Sequence, residues 1–274
     1  MKKEELVIVN NVLKELKKEM PLNDALIIIA SFLNINKLDV YKYLDKEIKI
    51  NISSIIKEYK EGMPLNYITH SKDFYGYSFY VDKRVLIPRY ETEILVNKVL
   101  EYIDIIFKDK DINLLDIGSG SGIIGLTIKK ERPRIDVSLS DISKDALDVT
   151  KINSDRLNLN VKLIESDLFT NINTKYNVIV SNPPYLMEGE EEKNTSKYEP
   201  HNALFEKYRC SYYEDILKDI KSFLKEDFLI AFEINDGTYK DIERLINKYL
   251  SNVNYKMYKD LNNRERVVII TNKM

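Results

Sequence analysis

The stretch Asn113–Glu131, NLLDIGSGSGIIGLTIKKE, limits the possible folds more than any other. An apolar run of strand length leads into glycines at 118, 120 and 122, and a helical run begins at Ile123. Glycine takes positive φ and lets backbone approach a ligand, while a helix N-terminus offers unpaired N–H groups. The same strand–loop–helix pattern then repeats. Strands are expected at Asn113–Ile117, Asp136–Ser140, Val161–Glu165, Asn177–Ser181 and Phe228–Ile234. Helices are expected near Ile123–Glu131, Ser143–Leu157, Tyr212–Leu224 and Tyr239–Leu250, and Asn254–Tyr258 with Arg266–Thr271 reads as a terminal hairpin. Such alternation predicts an α/β fold, a doubly wound and mostly parallel seven-stranded sheet covered on both faces.

Upstream the pattern differs. Leu6, Val9, Leu13, Leu16 and Met20 form one helical stripe that Pro21 interrupts, and Asn23 is a plausible cap for a second helix through Leu33. Asn36 is placed to cap a short third helix, and a fourth spans Asn51 to Glu61 before Gly62. The first sixty residues therefore read as helices only, a small all-α bundle. Period two from Asp73 to Ile87 predicts a β-hairpin turning at Asp82–Arg84. Pro88 is expected to open a helix with Glu91 and Glu93 in its first turn. Three segments result: a helical bundle over 1–71 for partner binding, a hairpin linker over 72–90, and a catalytic domain over 91–274.

Forty-two basic against 44 acidic residues leave a net charge of −2, so no basic field favours nucleic acid. One cysteine, Cys210, suggests a reducing compartment, and two distant histidines, His70 and His201, make no metal cluster. The first twenty residues lack a signal-peptide pattern, and the longest apolar stretch, Ala25–Leu33, falls short of the roughly 20 residues a membrane span needs. A cytoplasmic protein with no metal and no membrane partner is expected.

The glycines follow G-x-G-x-G, with bulky Ile123 where a dinucleotide fingerprint needs its third glycine, which disfavours a pyrophosphate ligand. The next strand ends at Asp141, whose carboxylate can accept from two ribose hydroxyls; its alternative role is to cap the helix starting at Ser143. Asp167 and Leu168, at the end of the third strand, are placed to flank an adenine ring. Together these positions predict a nucleotide-like ligand.

The fourth strand runs into Asn182-Pro183-Pro184-Tyr185. The lone pair of a planar NH₂ group is delocalised, which makes it a poor nucleophile. Two fixed acceptors on its N–H bonds would aim that lone pair: the Asn182 side-chain carbonyl and the Pro183 backbone carbonyl. Consecutive prolines stiffen the loop, and Tyr185 can lie against the planar group. The alternative is a turn whose Asn caps something local.

The segment from Leu114 to Leu168 resembles class I S-adenosylmethionine-dependent methyltransferases. The resemblance implies that Gly118–Gly122, with Ser119 and Ser121 between the glycines, cradle the cofactor while Asp141 holds its ribose. Asn182–Tyr185 looks like the signature of methyltransferases acting on exocyclic or amide nitrogens, without choosing among nucleobase amines and protein glutamine. GMPLNYITHSKDFYGYSFYVDKRVLIPRYETEILV (Gly62–Val96), YEPHNALF (Tyr198–Phe205) and NNRERVVI (Asn262–Ile269) are similar to the HemK/PrmC family. This family resemblance covers nearly the whole chain. It implies methylation of the side-chain N5 of the Gly-Gly-Gln glutamine in peptide-chain release factors, which tunes translation termination.

The chain departs from that pattern at Tyr90, where the family usually has proline, in FEKYRCSYY, and near Tyr239, where a usual glutamine is missing. Competing readings are a nucleic-acid amine methyltransferase, which would need to reach a flipped base, and a cofactor-binding adaptor without catalysis.

Overall fold

The computed structural model describes residues 4–108, 110–189 and 197–273. Residues 1–3, 109, 190–196 and 274 of the three expected segments lie outside it. The chain opens on a short strand, β1 (Glu5–Ile8), followed by α1 (Val9–Leu16) and α2 (Leu22–Leu33). After a 3₁₀ turn over Lys37–Tyr43 come β2 (Glu47–Ile50), α3 (Ile52–Lys60) and α4 (Leu65–Thr69). β1 and β2 pair antiparallel, Glu5 opposite Ile50 and Ile8 opposite Glu47. The helices-only expectation is thus corrected: ladder hydrogen bonds hold Leu6 on a strand, where it is exposed, and the helical stripe begins only at Val9. Asn36 and Asn51 do cap, accepting from the amides of Leu38 and Ser54. Asn23 does not cap; the Pro21 carbonyl accepts from the amides of Asp24 and Ala25 instead.

The linker folds as β3 (Lys72–Phe74) and β4 (Tyr77–Phe79), with its turn at Tyr75–Gly76 rather than at Asp82–Arg84. Both central residues have positive φ, 53° and 79°, the twist a two-residue hairpin turn requires. Pro88 lies outside any helix or strand, and α5 (Thr92–Ile106) begins four residues later.

The α/β domain then runs β5 (Asn113–Ile117), α6 (Ile123–Glu131), β6 (Asp136–Asp141), α7 (Lys144–Arg156), β7 (Lys162–Glu165) and β8 (Tyr176–Ser181). It ends with α8 (Ser211–Asp219), β9 (Leu224–Glu233), α9 (Tyr239–Tyr249), β10 (Asn254–Lys259) and β11 (Glu265–Thr271). The seven-stranded sheet has the order β10-β11-β9-β8-β5-β6-β7, with β11 antiparallel to its neighbours. Its inner strands β5, β8, β9 and β11 are largely buried on both faces, which is why they read as continuous apolar runs, whereas the edge strands β7 and β10 are not. Leu114, Val178, Leu229 and Val267 pack under α5 and α6, while Leu115, Ile179, Ile230 and Val268 pack under α8 and α9. Each such side chain contributes roughly 1.5–3 kcal/mol by leaving water. The apolar core of the N-terminal helices continues through Val81, Val85 and Ile87 into Ala146 and Val149 of α7.

Candidate active site

From the central β5 the chain moves outward through β6 and β7, then returns to β8 on the other side of β5. That reversal is a topological switch point, where open α/β sheets bind ligands at the carboxyl ends of their strands. A cavity of about 200 Å³ opens there, lined by Gly118, Gly120, Asp141, Asp167, Leu168, Asn182, Pro183 and Pro184. Four separate strand ends thus deliver eight of the twelve expected residues to one place. Two roomier depressions, of about 460 and 550 Å³, lie around Asp227 and around Lys57, away from these loops.

The other four have different surroundings. Gly122 is the left-handed residue before α6 (φ 81°), and a Cβ there would sit 2.8 Å from Thr150 Cγ2, so its glycine serves the packing of α6 on α7. The Ser121 carbonyl accepts from Asn153 Nδ2 (2.9 Å), and Ser119 is buried, its amide on the Ser140 carbonyl. Tyr185 does not line the cavity; it lies near Tyr213 and Arg266. Gly118 and Gly120 behave differently from Gly122: both have positive φ, and open space surrounds the position a Cβ would take. A bare backbone therefore faces the cavity on that side.

Asp141 is a nearly buried carboxylate. Its Oδ1 accepts from the Ser143 amide (2.9 Å) and its Oδ2 from the Gly120 amide (2.8 Å). Burial raises its pKa, and these backbone bonds oppose the rise. Each oxygen keeps a lone pair for a hydroxyl donor. The cap of α7 is Ser143, whose Oγ accepts from the Ala146 amide, and Asp141 joins that cap residue to the glycine loop with one bond to each. Helix α7 fixes the glycine loop further: Thr150 Oγ1 donates to the Gly120 carbonyl (2.8 Å), and Asn153 joins Ser121 to Tyr80. On the opposite wall, Leu168 is in the left-handed region (φ 45°), and Ser166 Oγ donates to its carbonyl (2.9 Å).

Glu233, the last residue of β9, is buried; burial raises its carboxyl to about 7, and Thr92 and Asn182 lie close enough to oppose the rise. Glu199 makes a buried link. It accepts from the Ile87 amide (2.9 Å) and from Arg89 (2.9 Å), tying the linker to the loop after Pro184. Sequence reasoning singled out neither carboxylate as a site residue, because an acid at a strand end or in a loop looks solvated until its partners from distant segments are known. Arg84 and Tyr212 also line the cavity and carry no local signal, whereas Pro200, Asn202 and Ala203 fall in the YEPHNALF stretch.

A methyltransferase small domain family matches residues 92–198. The chain is 38% identical to the release factor glutamine methyltransferase of Streptococcus pneumoniae, over 76% of this chain and 74% of that one. It is 35% identical to the release factor glutamine methyltransferase of Clostridium acetobutylicum, over 97% of both chains. In structure it is similar to a methyltransferase from Pyrococcus furiosus, with a TM-score of 0.52 and 14% identity, over 73% of this chain and 91% of that one. Seven strands in this order, with such a cavity at the reversal, define a class I methyltransferase. Within that class the chain belongs to the release factor glutamine methyltransferase family.

Proposed function

We propose that this chain methylates the side-chain N5 of the Gly-Gly-Gln glutamine in peptide-chain release factors, with S-adenosylmethionine as methyl donor. The observation that carries the reading is the meeting of Asn182, Pro183 and Pro184 with Gly118, Gly120 and Asp141 on one cavity. The residues suit the cofactor. Gly118 and Gly120 give a cradle free of side chains, Asp141 offers acceptors for ribose hydroxyls, and Asp167 and Leu168, which line the same cavity, would flank the base. When bound, S-adenosylmethionine supplies an electrophilic methyl group.

The protein's own part is to aim a reluctant nitrogen. The Asn182 side-chain carbonyl and the Pro183 backbone carbonyl accept the two N–H bonds of the glutamine amide and fix its plane. Their dipoles favour the positive charge that grows on that nitrogen, and the product releases its proton to water afterwards. Residues 1–71 form the partner-binding unit, 72–90 the linker and 91–274 the catalytic domain. Among the described residues no helix is long and apolar enough to cross a membrane.

Radiolabelled S-adenosylmethionine, offered with purified release factor or with nucleic acid, tests the reading. Label on the Gly-Gly-Gln glutamine supports it; label in nucleic acid alone overturns it.

A further inference from the structure

The cavity has walls of two kinds. One is the sheet edge, where Gly118, Asp141 and Asn182 stand at strand ends. The other comes from outside the sheet: Val85 and Leu86 of the linker, and Pro200 and Asn202 of the loop after Pro184. Neither of these segments belongs to a strand. Residues 81–91 contain no helix or strand, and 197–204 hold only the 3₁₀ turn His201–Ala203. Something other than a ladder must keep the two walls in register.

Glu199 does so. Its side chain is fully buried, with Oε1 accepting from the Ile87 amide (2.9 Å) and Oε2 from Arg89 Nη2 (2.9 Å). Arg89 Nη1 donates to the Ile87 carbonyl (2.8 Å), so carboxylate and guanidinium together take both backbone polar groups of Ile87. Ile87 follows Leu86 and Glu199 precedes Pro200, which closes this ring one residue from the cavity on either side. The N-terminal helices back both segments: the Tyr67 hydroxyl donates to the Val85 carbonyl (2.6 Å), and the Tyr198 hydroxyl to the Glu61 carbonyl. A buried ion pair adds little net stability over apolar residues of the same volume. What it adds is charge-assisted bonds of set direction.

We propose that Glu199 is a positioning residue that clasps the linker to the loop after Pro184, holding these two walls in register and so retaining the cofactor. Walls held beforehand need little ordering when a ligand binds. With the clasp broken, binding has to order them, and the ligand leaves sooner. The inference rests on S-adenosylmethionine as the cofactor and not on which amine is methylated.

The test compares Glu199→Gln, Arg89→Lys and the double variant in the full-length protein, with S-adenosylhomocysteine as the probe. A glutamine has one acceptor oxygen for the two donors that Glu199 serves. Well below the Tm of each protein, dissociation of the probe from Glu199→Gln, followed by stopped flow, is expected to be roughly 10-fold faster, as for loss of one charge-assisted bond. Association changes little, KM for S-adenosylmethionine rises, and kcat at saturation moves far less. Backbone amide exchange at Ile87, measured on the protein alone, speeds up. Arg89→Lys keeps the charge without the fork; it shifts the same readouts by less, and it carries the test should Glu199→Gln fold poorly. The double variant loses less than the sum of the two, because both residues act in one ring. A lowered Tm with dissociation and exchange at parent values overturns the proposal, as do additive losses. Neither dissociation nor exchange needs a methyl acceptor. A parent that binds the probe yet modifies no release factor therefore sinks the functional reading, while these two rates still judge the clasp.

Discussion

Asp116 sits in the middle of the sheet, fully buried, with Oδ2 accepting from the Gly125 amide at 2.9 Å and Oδ1 without a partner among the described residues. Burial raises its carboxyl to about 7, with Asp141 nearby adding to the rise. The folded protein keeps this proton up to about pH 7, whereas the unfolded chain releases it near 3.8. The folded state thus binds more protons in that window, and stability falls as pH rises through it. Asp116→Asn should flatten this fall by on the order of 4 kcal/mol, read as a smaller drop in Tm between the two ends of the window. A second prediction contrasts two cavity residues. Asn182→Ala should cut turnover roughly 10²-fold while leaving cofactor affinity nearly intact, and Asp141→Ala should mainly weaken cofactor binding. Equal loss of rate and affinity in Asn182→Ala, measured by kinetics and calorimetry, would contradict its assigned role.

At the scale of elements, α7 matters as much as the loops it supports. Asn153 accepts from the Tyr80 amide (2.6 Å) and donates to the carbonyls of Tyr80 (3.0 Å) and Ser121 (2.9 Å). Asn153→Ala removes all three bonds between linker, helix and glycine loop. A loss of about 2–4 kcal/mol is expected, seen as a lower denaturant midpoint, together with weaker cofactor binding because the loop is no longer held. The strands and helices of the α/β domain were legible because their periodicity, glycines and caps act over a few residues; β5 and α6 fall where the pattern places them. The pairing of β1 with β2 was not, since it joins segments some forty residues apart and overrides a helical stripe. The hairpin turn was missed because Tyr75 in the left-handed region does not resemble a turn residue. The cavity wall was legible where strand ends carry Gly, Asp or Asn-Pro-Pro, and illegible at Glu199 and Glu233, whose neighbours lie in other segments.

For the molecule as a whole, the loop over Tyr198–Pro200 joins three parts of the chain. The Tyr198 hydroxyl donates to the Glu61 carbonyl, and Glu199 holds Ile87 and Arg89. The N-terminal helices also share one apolar core with Ala146 and Val149, on the helix that braces the glycine loop. Removing residues 1–71 would strip that cover from α7 and leave a raw hydrocarbon surface facing water. The shortened chain is therefore expected to aggregate or lose its cofactor site, not to persist as a smaller enzyme, and the intact protein should melt in a single calorimetric transition. Two separate transitions, or a soluble, cofactor-competent fragment, would contradict this. The N-terminal helices and the α/β domain then stand or fall together, and evolution could not readily exchange one helical module for another without rebuilding the wall of the catalytic chamber.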